Sequence, residues 1–374
     1  MRLLNNSRYE VLRTLGRGQF SSMWLASDSL AETPTYHAIK ILTAHATKRH
    51  HDGDLLELEA MQTITESAKS SVLPYMVDHF EIDGTHGRHL CLVLPVLNES
   101  ISNFMCSAPS KLLDPPKVKV IIAEVVEALV DLHATNIIHT DVKPDNVLFW
   151  EGTGPKTIKT LLDESSQVMD DEFELNGARY PTILSQPIPN PFKWNDPGIT
   201  VELYSVCLTD FGSAQWVDRE PPTRTIGEYA LRAPEVILGA DYGVKVDIWA
   251  LGCMTFELLT GRRLFHPKAG ETWRVEDDHL AKMAELTGDD FSDKVLAKSR
   301  KRDEYFDKTG KLLCIDQLFP MGLEQAMTNY GLQAVEAASA AAFIRACLHL
   351  DSEERSLASD LLNHPWLEMT YICC

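Results

Sequence analysis

A chain of 374 residues, 44% hydrophobic and 24% charged, has the composition of a soluble globular protein and the length for two lobes or domains. Its net charge of −19 argues against direct binding to nucleic acid and suits a basic partner, although acidity also serves solubility. No apolar run approaches the ~20 residues that span a bilayer, so no membrane association is expected.

Residues 1–6 are too polar and too short for a secretory signal. Eight cysteines without a Cys-x-x-Cys pair read as free thiols in a reducing compartment. The terminal pair Cys373 and Cys374 lies outside any C-a-a-X box and reads as a frayed end.

Residues 8–28 alternate around Gly16-Arg17-Gly18, which predicts two strands joined by a glycine turn. Its backbone can approach phosphate oxygens closely. Ser21 occupies the third glycine position of G-x-G-x-x-G, a change tolerated at negative φ. Residues 36–42 predict a strand with Lys40 among apolar neighbours, where a lysine needs a carboxylate or phosphate partner. Residues 55–64 show helical spacing with Glu57 near the middle. Glu57 or Glu59 can pair with Lys40; Glu57 is preferred, with Leu58 and Met61 following in register, and Glu59 suits a solvated face. Residues 90–94 read as a buried strand, and Pro95-Val96-Leu97 leaves it as a linker. Pro115-Pro116 opens a helix over 118–133, in which His133 reads as a packed helix-end residue.

The stretch His139-Thr140-Asp141-Val142-Lys143-Pro144-Asp145-Asn146 sets a carboxylate, an ammonium and an amide at fixed offsets in a loop. Asp141 can take a proton from a hydroxyl nucleophile, while Asn146 holds a metal ion. Residues 151–204 are rich in proline and glycine, with an acidic patch over 163–174, and read as an inserted, partly disordered surface loop. Residues 206–212 read as a strand ending in Asp210-Phe211-Gly212, where Asp210 can bind a metal that bridges phosphates. Residues 244–259 are apolar nearly all round and stop at Gly261, the profile of a buried helix. Asp247 inside it should be satisfied by backbone N–H groups, those of the 139–146 loop being the candidates.

Taken in order with Ala233-Pro234-Glu235 and Arg355, this set resembles the eukaryotic protein kinases over residues 9–367. Within them it is most similar to the serine/arginine-protein kinases of the CMGC group. The similarity rests on residues 15–25 with their Phe-Ser and Trp-Leu pairs, on His139-Thr140-Asp141, on the insertion before Asp210, on Arg232 ahead of Ala-Pro-Glu, and on residues 276–286. The chain departs from that pattern in lacking a preceding Gly-Tyr-His-Pro-type segment. It also carries Glu228 where a hydroxyl residue is usual, and this carboxylate could repel Asp141 or bind an incoming arginine.

The resemblance implies an α+β, two-lobed fold. A tail (1–8) would precede a small β-rich lobe (9–95) with one key helix. A larger, mainly helical lobe (96–367) carrying the 151–204 insertion would follow, then a tail (368–374). It implies ATP and Mg²⁺ as cofactors. Catalysis would fall to Asp141 and Lys143, and the metal to Asn146 and Asp210. Nucleotide contacts would come from Leu15, Gly16, Arg17, Gly18, Gln19, Phe20, Ser21, Ser22, Met23, Ala38, Lys40, Glu57, Pro95, Leu97 and Leu148. Leu94 would be the gatekeeper, and Arg355 would pair with Glu235.

The implied activity is phosphorylation of serines in arginine/serine-rich, splicing-factor-like proteins by a monomeric enzyme. Thr140, in place of the usual arginine, implies activity without activation-loop phosphorylation. The alternatives are a CMGC kinase of different preference and a pseudokinase scaffold. Asp277 and Asp278 suit docking of arginine-rich tails or a plain solvated face. Residues 298–302 are basic and suit a surface stretch better than a nuclear address. The expected location is cytoplasmic, nuclear or both.

Overall fold

The computed structural model describes residues 2–67, 72–150, 154–164, 169–175, 178–197, 203–221 and 223–368. Cys373 and Cys374, and parts of the insertion and its acidic patch, lie outside these residues. Strands β1 (Arg2–Leu4), β2 (Tyr9–Arg17), β3 (Ser21–Asp28), β4 (Tyr36–Leu42), β5 (Asp78–Gly84) and β6 (Gly87–Leu94) form an antiparallel sheet in the order β1-β2-β3-β4-β6-β5. Both faces are covered at the centre of the sheet, so consecutive residues of β6 from Leu90 to Val93 are buried: Leu90 and Leu92 pack with one cluster, Cys91 and Val93 with another that includes Ile39. Register then sets Met23 opposite Lys40 and Ala38 opposite Leu94, so the lysine lies beneath the β2–β3 turn.

Two helices, α1 (Ala44–His51) and α2 (Glu57–Ser67), follow β4. The sequence carries no clear signal for the first, which is polar and buries only Ala46 and Thr47. Glu57 opens α2 instead of sitting in its middle, because residues 55–56 stay outside the helix, with the Leu56 carbonyl accepting the Ala60 N–H.

The larger lobe contains α3 (Ile101–Ser107), α4 (Pro115–Ala134), and short strands β7 (Ile137–Ile138) and β8 (Val147–Phe149). The insertion is not the irregular loop expected from its composition. Its described residues include α5 (Pro155–Glu164) and an antiparallel hairpin of β9 (Met169–Leu175) and β10 (Ala178–Ile183). Ile158 and Ile188 are both buried and pack with Leu25 of the small lobe. Apolar anchors spaced this widely escape a composition-based reading.

Strands β11 (Val206–Leu208) and β12 (Gln215–Trp216) pair with β8 and β7 and bracket residues 210–213. Helices α6 (Pro234–Ile237), α7 (Lys245–Thr260), α8 (Val275–Thr287), α9 (Asp293–Ala297), α10 (Arg302–Tyr305), α11 (Leu323–Asn329), α12 (Ala334–Cys347) and α13 (Ala358–Leu361) complete the lobe. As its all-round apolar pattern predicts, α7 is buried along almost its whole length. It ends at Gly261 with φ +66°, where a Cβ would collide with the Ser110 carbonyl. The six described cysteines are free thiols, and no described helix is long and apolar enough to cross a membrane.

Candidate active site

Lys40 is 6% exposed, and its ammonium is held on two sides. One partner is Glu57 Oε1; the other is Asp210 Oδ1 at 2.7 Å. Burial alone would lower the Lys40 pKa, but the charges of Asp210 and Glu57 reverse that and raise it. Burial pushes the Glu57 carboxyl up against the opposing pull of Lys40. Lys40 holds Asp210 down to about 2, so this carboxylate stays ionised at any working pH. Glu59, expected on a solvated face, is half-buried, with one oxygen 3.9 Å from His50 Nδ1.

The geometry around Asp210 leaves little freedom. Its φ is +66°, a strained conformation for a residue with a side chain. A Cβ on Gly212 would stand 3.3 Å from Asp210 Oδ1 and 3.5 Å from Glu57 Oε2, pressing on both carboxylates. Phe211 is buried edge-on against His139 at 5.0 Å.

The catalytic-loop candidates lie beside this cluster. Lys143 Nζ is 2.8 Å from Asp141 Oδ2. Burial pulls the Lys143 pKa down, and Asp141 outweighs it, so the ammonium stays charged. Asn146 Nδ2 donates to the Asp141 carbonyl and to Asp141 Oδ2, both at 2.9 Å. This orientation leaves the amide oxygen of Asn146 as its donor atom for a cation. His139 Nε2 contacts the Thr209 carbonyl at 3.0 Å, and its Nδ1 accepts from the Asp141 N–H, which settles its tautomer.

Asp247 in α7 organises the loop from below. Its carboxylate accepts the N–H groups of His139 and Thr140, each at 2.8 Å, and pairs with His133 Nε2 at 3.0 Å. The helix-end histidine therefore has a definite partner. Thr140 adopts φ +70° and donates its hydroxyl to the Ser213 carbonyl at 2.8 Å. Farther along, Arg355 makes a bidentate pair with Glu235 at 2.6 and 2.7 Å, inside the core.

Above these groups opens a cleft of about 580 Å³, within the usual ~300–1,000 Å³ of small-molecule sites. Its lining includes Leu15, Gly16, Arg17, Gly18, Ser21, Met23, Ala38, Lys40, Glu57, Leu94, Pro95, Leu97, Asn146, Leu148 and Asp210. Gln19 and Phe20 of the turn and Ser22 of β3 do not belong to this lining. Phe20 is 39% exposed, and its carbonyl accepts the Thr43 N–H at 2.8 Å. Ser21 keeps an ordinary backbone, as its place in a glycine motif requires. A Cβ on Gly16 would meet nothing within 4 Å, so the space along the turn is open to a ligand. No group of three or more His, Cys, Asp or Glu ligands occurs among the described residues. A cation here would rest on Asn146, Asp210 and ligand oxygens, a donor set that fits a hard ion shared with phosphates.

Three residues named from sequence sit differently from the simplest expectation. Glu228 neither approaches Asp141 as a bare charge nor awaits a partner: it pairs with Arg263. Asp277 is buried and caps α8 by accepting the Arg274 N–H at 2.8 Å. Asp278 pairs with Lys282 at 2.7 Å and accepts the Lys268 N–H. Both aspartates are engaged within the fold. The basic run 298–302 is folded surface, with Lys298 paired to Glu353 and Arg300 to Asp241.

The sequence matches the family model described as Protein kinase domain over residues 9–161 and 199–367. It is 32% identical to the serine/threonine-protein kinase SRPK of Physarum polycephalum, over 96% of this chain and 86% of that protein. It is 26% identical to SRSF protein kinase 3 of Mus musculus, over 97% and 87%. A crystal structure of a kinase domain superposes with a TM-score of 0.69 at 20% identity, over 98% of this chain and 97% of that one, and shows the same fold.

Proposed function

Because the chain belongs to the protein kinase family as an SR-protein-kinase-like serine/threonine kinase, we propose that it phosphorylates serines in arginine/serine-rich protein segments, with Mg²⁺ as the metal. The observation that carries the catalytic reading is the Lys40 ammonium, held jointly by Glu57 and Asp210 beside the Asp141–Asn146 pair. When bound, ATP supplies the phosphoryl group and the divalent ion offsets its charge.

The chain's own residues do the rest. Asp141 orients the serine hydroxyl and accepts its proton as the oxygen attacks phosphorus. The new O–P bond forms as the bond to the ADP oxygen breaks, and ADP leaves with that electron pair. Lys143 offsets the charge that develops on the transferred group, and Lys40 grips the inner phosphates. Asn146 and Asp210 offer the metal donors.

Activity without activation-loop phosphorylation is part of the proposal. The segment after Gly212 is anchored by unmodified groups: Thr140 to Ser213, and Tyr242 OH to Gln215 Oε1 at 2.8 Å and to the Thr223 carbonyl at 2.9 Å. Arg224 bridges Glu220 and Asp241, and Asp241 also takes Arg300. The substrate class is supported by the names of the relatives and by the acidic total, which attracts basic tails.

The test is transfer of phosphate from Mg²⁺–ATP to an Arg-Ser repeat peptide and to its Lys-Ser analogue, across a salt series. The arginine peptide should be preferred and its rate should fall with salt. Equal rates on both peptides would remove the substrate reading; no transfer to either would leave a scaffold.

A further inference from the structure

We propose that the insertion before Asp210 supplies the outer wall of the nucleotide cleft, and that Ser185, Pro187 and Ile188 determine which ribose-substituted nucleotides it accepts. This rests on the kinase reading of the same cleft. Ser185, Pro187 and Ile188 all line it, alongside Leu15 of β2 and Glu99, Ser100 and Asn103 beyond the linker.

The segment is held there by backbone bonds to both lobes. Gln186 N–H donates to the Thr14 carbonyl at 2.9 Å, one residue before Leu15. Glu99 N–H donates to the Ile188 carbonyl at 2.9 Å, and Asn98 and Ile188 form a parallel bridge. Asn98 Nδ2 donates to the Pro189 carbonyl at 2.8 Å, and Asn190 N–H to Glu99 Oε1 at 3.3 Å.

Side chains fix both flanks. Ile188 and Ile158 are each 2% exposed and pack with Leu25, while Leu15, Tyr36 and Val96 surround them. Lys117, with no exposed side-chain surface, donates to the Asp196 carbonyl at 3.0 Å and pairs with Asp114 at 2.9 Å. Phe192 packs against Tyr204 at 4.5 Å. A wall tied this tightly is preformed and can act as a steric filter.

The position of the wall selects the part of the ligand it touches. In the kinase reading, the base end lies at Pro95–Leu97 and the phosphates at Lys40, Asn146 and Asp210. Residues 99–103 and 185–188 border the stretch between, where the sugar belongs. Ser185 and Pro187 are exposed to the cleft, so their side chains can be changed without opening the core.

Binding of ATP and of 2′/3′-O-(N-methylanthraniloyl)-ATP to the full chain, read by fluorescence and competition, tests this without turnover. Wild type should prefer ATP. In Pro187→Gly with Ile188→Ala the preference should shrink by about tenfold, the low end of what a methylene-sized change in an apolar wall is worth. Ser185→Phe should enlarge it. Ile158→Ala loses the same cluster packing without touching the cleft, so its ratio should match wild type. Nucleotide bound with an unchanged ratio in the first two variants overturns the wall and leaves the kinase reading standing. A shifted ratio in Ile158→Ala also overturns it, since packing alone would then explain the effect. Failure to bind any nucleotide overturns both.

Discussion

Thr140→Val removes one hydroxyl and keeps the branched shape that this position holds at φ +70°. The lost bond is the 2.8 Å donation to the Ser213 carbonyl, which ties the catalytic loop to the start of the activation segment. Ser213 is exposed, so water can reach the vacated carbonyl and the cost stays near the net value of one hydrogen bond, about 1 kcal/mol. That lowers the ratio of anchored to released segment about fivefold, and kcat/KM on an Arg-Ser peptide should fall measurably, by up to that factor. The urea midpoint should change little, because Asp247 still accepts the Thr140 N–H. Thr140→Arg should lose more than Thr140→Val, since it forces an unpaired guanidinium into a site that is 6% exposed. Protein pretreated with phosphatase should match untreated enzyme throughout. Wild-type activity in Thr140→Val, or activity lost on phosphatase treatment, would refute the claim that this contact replaces a phosphate.

Three other outcomes follow from the geometry. Asp141→Asn should cut kcat by about 10²–10⁴ while a fluorescent nucleotide binds with nearly unchanged affinity; retained turnover would remove Asp141 as the proton acceptor. Arg355→Ala strands Glu235 in the core and should cost about 3–5 kcal/mol in urea unfolding, and a loss under 1 kcal/mol would show the pair to be idle. His279 is fully buried between Tyr229 and Phe265 with both ring nitrogens unbonded. Burial, with Arg232 adding to it, lowers its pKa from an ordinary 6.5 to about 3. Between those values the unfolded chain binds the extra proton, so the stability due to the neutral ring is present above pH 6.5 and is lost as pH falls toward 3. From pH 7 to 5 the loss should be about 2 kcal/mol, and His279→Phe should abolish that part of the slope; an unchanged slope would assign the acid sensitivity elsewhere.

The parts legible in the sequence are those where side-chain chemistry sits at short, fixed spacing. Asp141 and Asn146 five residues apart, Asp210 before a glycine, and Lys40 in an apolar strand each announce a need that the fold then meets. Asp247 was legible for the same reason, as a charge inside an apolar helix that requires partners, whereas Arg355 follows a polar, acidic stretch and its pairing with Glu235 was implied only by the family resemblance. The order of the insertion is not visible in its composition because backbone atoms and two isoleucines thirty residues apart anchor it. Backbone donors leave no mark on composition, and Pro187 and Pro189 read as loop although their neighbours pair with the linker. The engagement of Asp277 and Asp278 is not legible because a capping bond and an i, i+4 ion pair look the same in sequence as a solvated acidic run. The pairing of Glu228 with Arg263 had no signal, since the two meet only through tertiary structure.

Asp247 carries a consequence of its own. A single carboxylate in the first turn of α7 receives α4 through His133 and the catalytic loop through two N–H groups. Asp141, the proposed proton acceptor, thus takes its position from the floor of the large lobe, and the loop has little latitude to fray ahead of it. Heat should therefore extinguish turnover and core ellipticity together, at one temperature. In a protein wired this way, residual activity doubles as a gauge of whether its deepest helix is still folded.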